Sequence, residues 1–148
     1  MPLKPSVPEH PKRRRSKRPG YVIAILVNIA LLVVANSILE WNVLPFLTQD
    51  FTRVLALLNV SLSATIAANL AFLFFDPDWF TGLCGMVLAA IGIAVGVLFL
   101  AVFPFDFSAY SFDWALVAKV LIILGIVGTS IGFIAETVKL LRALARRP

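Results

Sequence analysis

The chain has 148 residues, 60% of them hydrophobic and 14% charged, with a mean hydropathy of +0.94. That balance excludes a soluble domain of this size and places the chain among membrane proteins. The net charge of +5 would suit nucleic acid or an anionic surface, but seven of the thirteen Lys and Arg precede residue 20 and four follow residue 138, so the positive charge is terminal.

In chain order, the first element is a basic, Pro-rich tail over 1–20, KPSVPEHPKRRRSKRPG from Lys4 onward, expected to be disordered. It meets YVIAILVNIALLVVANSIL, 21–39, the first of four apolar runs long enough for a hydrocarbon core that about 20 helical residues cross. The others are 54–75, 80–103 and 114–135. A cleaved signal peptide ending near the small residues Ala35 and Ser37 is the competing reading of the first run, whose 19 residues exceed the usual h-region. The run is therefore read as an uncleaved helix. Before the third run, Asp76 is expected to cap and Pro77 to occupy the first helical position. The fourth carries Lys119 near its start, with a stem long enough to return the ammonium to the interface, within reach of Asp113, Asp106, Glu40 or Asp50. Trp41, Trp79, Trp114, Tyr21 and Tyr110 fall at span ends, where interfacial rings belong. Residues 136–148 alternate Lys139, Arg142 and Arg146 with leucines and read as a basic amphipathic cytoplasmic extension.

These elements predict an all-α integral membrane protein, a four-helix up-down bundle built from two antiparallel helical hairpins, with a transmembrane domain over 21–135. Short flanks rich in Lys and Arg stay in the cytoplasm. Both termini are therefore expected inside, an orientation that needs an even number of spans, and the plasma membrane is the expected location. Arg13, Arg14, Arg15, Lys17, Arg18, Arg142, Arg146 and Arg147 are candidates for contact with anionic lipid headgroups. No aromatic or polar readers of bases interleave the basic run, so a nucleic-acid partner is not expected.

Proton-coupled transporters, pumps and voltage sensors need ionisable groups deep in the membrane. Here no Asp, Glu, His, Lys or Arg lies in the middle of a span, and the lone Cys84 excludes an internal disulfide and a cysteine-based zinc cluster. No nucleophile, base or metal constellation is visible, so neither catalysis nor a cofactor is expected. Glu136 is placed near the cytoplasmic end, to be neutralised by Lys139 or the tail.

The polar residues within the spans are uncharged. Asn28 and Asn36 on the first helix, and Asn59, Ser61, Ser63, Thr65 and Asn69 on the second, form a candidate interhelical cluster. In opposed helices Asn28 comes level with Asn69 and Asn36 with Asn59, and the spacing keeps the two asparagines of each helix within about 80° of one another. Interhelical hydrogen bonding is the structural reading; a polar pocket for a headgroup, quinone or solute is the functional one.

The second half carries a candidate packing stripe, Gly82, Gly85, Gly92 and Gly96 on the third helix and Gly125, Gly128 and Gly132 on the fourth. Their depths match, which predicts that the two glycine faces meet and that Gly128→Leu separates the helices; one stripe facing another subunit is the alternative. The segment FPFDFSAYSFDW is expected in the headgroup layer, or else over a lipid-accessible groove or an external partner. Two function classes result. The first is a non-enzymatic accessory subunit, scaffold or regulator of a membrane assembly, with a protein partner or homo-oligomer; the second is a binder or carrier of a lipid, quinone or small uncharged solute.

Overall fold

The computed structural model describes residues 17–146. They form α1 (Arg18–Trp41), α2 (Phe51–Phe74), α3 (Asp78–Val102) and α4 (Trp114–Ala145), with no strand among the described residues. Each helix is long and apolar enough to cross a membrane. The tail residues Arg13, Arg14 and Arg15, and Arg147 at the other end, lie outside the described residues.

The helix ends follow local chemistry more than hydropathy. α1 starts at Arg18 with a proline in its first turn, where a missing N–H removes no helical bond, and closes on Asn42 in the left-handed region at φ 49°. α2 takes Arg53 into its first turn beside Asp50, 3.6 Å away. The expected start of α3 moves by one residue. Pro77 is extended at ψ 147° and caps the helix through its carbonyl, which accepts from the N–H groups of Phe80 and Thr81, both at 3.0 Å. Asp78, not Pro77, is the first helical residue. The Asp76 side chain lies near the Tyr21 hydroxyl. α3 closes on Phe103 at φ 40°, a region a bulky residue occupies only when its surroundings hold it there. At the start of α4 the Asp113 side chain accepts from Leu116 N–H at 2.9 Å.

α4 runs unbroken for 32 residues, about 48 Å. Its basic end, from Glu136 to Ala145, is continuous with the rest of the helix. A Cβ on Gly82 would lie 3.3 Å from the backbone of Leu140, so α4 beyond Glu136 lies beside the first turns of α3. The helix continues because nothing between Phe133 and Arg147 is glycine or proline.

α1 packs on α2, α2 on α3 and α3 on α4, and no other pair of helices is in contact among the described residues. Few side chains are buried. Phe51, Val54, Leu62 and Val95 are the buried apolar helix residues, whereas Phe74 is 89% exposed and α1 and α4 bury none. Lipid is as apolar as these side chains, so burying them inside gains nothing, and the helices meet through shape and hydrogen bonds.

One end of the molecule is a joint between two loops. Thr48 N–H donates to the Pro104 carbonyl at 3.0 Å and Asp106 N–H to the Phe46 carbonyl at 2.8 Å. Pro104 is fully buried beneath them. The FPFDFSAYSFDW segment is thus folded onto the α1–α2 connection rather than spread alone. Ser108 N–H donates to Asp106 Oδ1 at 2.9 Å and holds that carboxyl below its usual pKa range. At the opposite end, Lys17 lies 3.9 Å from Asp78, both exposed.

Candidate functional site

The amide cluster is assembled only in part. Asn36 and Asn59 exchange two side-chain hydrogen bonds, Asn36 Nδ2 to Asn59 Oδ1 at 2.8 Å and Asn59 Nδ2 to Asn36 Oδ1 at 2.9 Å. Asn36 also donates to the Leu32 carbonyl. Asn28 and Asn69 do not bond to each other: Asn28 donates to the Ala24 carbonyl at 2.7 Å and Asn69 to that of Thr65 at 2.8 Å. Thr65 in turn donates to the Ser61 carbonyl at 2.9 Å, and Ser63 is exposed. Each of these donors satisfies its own helix one turn back instead of crossing to the other. In a double-mutant cycle, Asn36→Leu and Asn59→Leu should therefore show a coupling of about 0.6–2 kcal/mol in detergent unfolding, and Asn28→Leu with Asn69→Leu none. Coupling in the second pair alone would contradict the observed pairing.

The glycines divide in two. On α3, a Cβ at Gly96 would lie 2.6 Å from Ile126 Cγ1, at Gly85 2.8 Å from Glu136 Cγ, and at Gly92 3.3 Å from Thr129 Cγ2. Those positions, with Gly82 against Leu140, are the seam with α4. Gly125, Gly128 and Gly132 have nothing within 4 Å of a built Cβ. The expectation that the two glycine faces meet is thus corrected. α4 turns Ile126, Thr129, Glu136 and Leu140 to α3 and leaves its own glycines on an open flank. Depth sets which residues come level, but the rotation of α4 about its axis sets which of them touch.

Charged groups near the ends find local partners. Glu136 accepts from Lys139 at 3.3 Å, as anticipated. Lys119 does not reach a carboxylate; its ammonium sits 4.9 Å from the centre of the Phe103 ring, a cation–π contact. Lys17 and Arg18 stand at the start of α1, Arg142 on the last turn of α4 and Arg146 at its C-cap, all exposed. Among the described residues no three of His, Cys, Asp and Glu gather into a group able to hold a metal ion.

The loop joint also shapes an apolar cavity of about 560 Å3, lined by Phe46, Phe107, Tyr110, Trp114, Val117 and Leu121. Phe46 stacks on Phe107 at 5.1 Å between ring centres. Phe46 was not singled out from the sequence; the available signal is a ring beside Pro45 at the same end as the aromatic second loop. No protein-family model matches the chain, and no curated protein or solved structure matches it either.

Proposed function

We propose that the chain is a four-span up-down bundle of two antiparallel hairpins in the plasma membrane that acts without catalysis, as an accessory subunit, scaffold or regulator of a membrane assembly. The observation that carries this reading is the open glycine flank of α4, a surface on which another helix can approach backbone to backbone. Opposed helix directions are supported by the order of contacts: Tyr21 meets Phe72 and Asn36 meets Asn59, while Gly82 meets Leu140 and Gly96 meets Ile126. The eleven terminal Lys and Arg support cytoplasmic termini. They also favour anionic lipid headgroups as partners over nucleic acid.

Orientation is tested by labelling. In a Cys84→Ser background, Val43→Cys and Ala109→Cys in the loops should react with an impermeant maleimide added to sealed cells, and Ala145→Cys should be protected. Labelling of the Ala145→Cys variant from outside would reverse the assignment. The subunit reading is tested by placing a photo-crosslinking residue at Gly128 and, for comparison, at Val33 on α1. The α4 position should capture one discrete protein partner, or a second copy of this chain, in intact membranes.

A second reading is favoured by the cavity of about 560 Å3 at the loop joint. Its volume and aromatic lining fit the chain or ring of a lipid, quinone or small uncharged solute. Under that reading the chain binds or carries such a molecule, and Phe46→Ala with Leu121→Ala should lower its retention through purification. Unchanged retention would remove the carrier reading and leave the subunit reading standing.

A further inference from the structure

Where α4 passes the first turn of α3, the two helices enclose a second groove, of about 460 Å3. Its α4 wall carries Lys139, Arg142 and Arg146, which recur at i, i+3 and i+7 and share one helix face. Trp79 stands on the α3 wall, its ring packed against Phe75 and Phe80 at 6.1 and 5.7 Å. The charges are not balanced within the groove. Glu136 engages Lys139, and Asp78 on the rim is opposite Lys17 at 3.9 Å. Neither Arg142 nor Arg146 has an acidic partner among the described residues.

The groove is also polarised along the helix. From its basic end the lining passes to Val138 and Ala135, and the surface of α4 continues through Ile134 and Ile131, 62% and 64% exposed. Two unpaired guanidiniums above an apolar track match an amphiphile whose head is an anion. We propose that this groove holds one anionic glycerophospholipid, its phosphate between Arg142 and Arg146, Trp79 at the level of the glycerol, and an acyl chain along Val138 and Ile131. A free phosphate would leave the apolar track unused, and a zwitterionic headgroup would bring a further cation beside Lys139, Arg142 and Arg146. The inference rests on the reading that the termini face an anionic leaflet, but not on any protein docking at the glycines of α4.

The test uses the purified full chain, without any partner, so it stands apart from the crosslinking experiment. Native mass spectrometry after reconstitution in mixed phosphatidylglycerol and phosphatidylcholine should show one phosphatidylglycerol retained per chain. In Arg142→Gln/Arg146→Gln the apparent affinity should fall about twenty-five-fold, about fivefold for each arginine lost at the surface. Arg13→Gln/Arg14→Gln/Arg15→Gln in the tail should keep the retained lipid. If the double variant does not fold, Arg146→Gln alone, on the last exposed turn, should still show the fivefold loss. Equal retention of phosphatidylcholine, stabilisation by inorganic phosphate equal to that by phosphatidylglycerol, loss of the lipid in the tail variant, or a second copy of the chain in place of the lipid would each overturn the proposal.

Discussion

Gly96→Leu is expected to lower the stability of the purified chain by about 1–3 kcal/mol, or to prevent its accumulation, because there is no room for the side chain. Even a Cβ at this position would stand 2.6 Å from Ile126 Cγ1. The isoleucine is β-branched and has one strongly preferred χ1 in a helix, so it cannot swing aside. The α3/α4 seam would have to open instead. Ile126→Ala in the same chain should recover part of the loss, since it empties the volume that the leucine needs. Gly82→Leu should behave similarly, because the nearest atoms there include the backbone of Leu140 at 3.3 Å. Thermal unfolding in detergent measures all of these. A Gly96→Leu variant as stable as wild type, with no rescue to detect, would mean that the seam does not run along this stripe.

The second large effect should appear with no change in the fold. Gly128→Leu and Gly132→Leu lie where a built Cβ meets nothing within 4 Å, so the isolated chain should keep its stability within about 0.5 kcal/mol. What should be lost is the assembly, because two leucines hold an incoming helix away from the α4 backbone. Blue native electrophoresis of mild-detergent extracts reads this directly: wild type migrates with its partner and the double variant as the free chain. Destabilisation of the free chain comparable to that of Gly96→Leu would show that these glycines pack internally.

The existence of four spans was legible in the sequence because an apolar run of about 20 residues has few alternatives. Their ends were less so. Arg18, Thr52 and Arg53 are polar and mark the end of an apolar run, yet they extend helices whose termini lie among polar groups. Hydropathy falls at Glu136, but no helix-breaking residue follows, and the chain continues to Ala145. Depth matching found the Asn36–Asn59 pair and, by the same rule, wrongly paired Asn28 with Asn69. Depth is one coordinate of two. The rotation of each helix is settled by packing along its whole length, and the same gap turned the α4 glycines away from α3. The loop joint through Phe46 and Asp106 was not legible, because backbone hydrogen bonds between distant loops leave no periodic trace.

Site-specific photo-crosslinking at position 128 in native membranes reads directly whether the open flank of α4 docks on another membrane protein. A single protein adduct is expected, either a different chain or a second copy of this one, which is abolished by Gly132→Leu and absent when the probe stands at Val33. Adducts with lipid alone at position 128, indistinguishable from those at Val33, would contradict it.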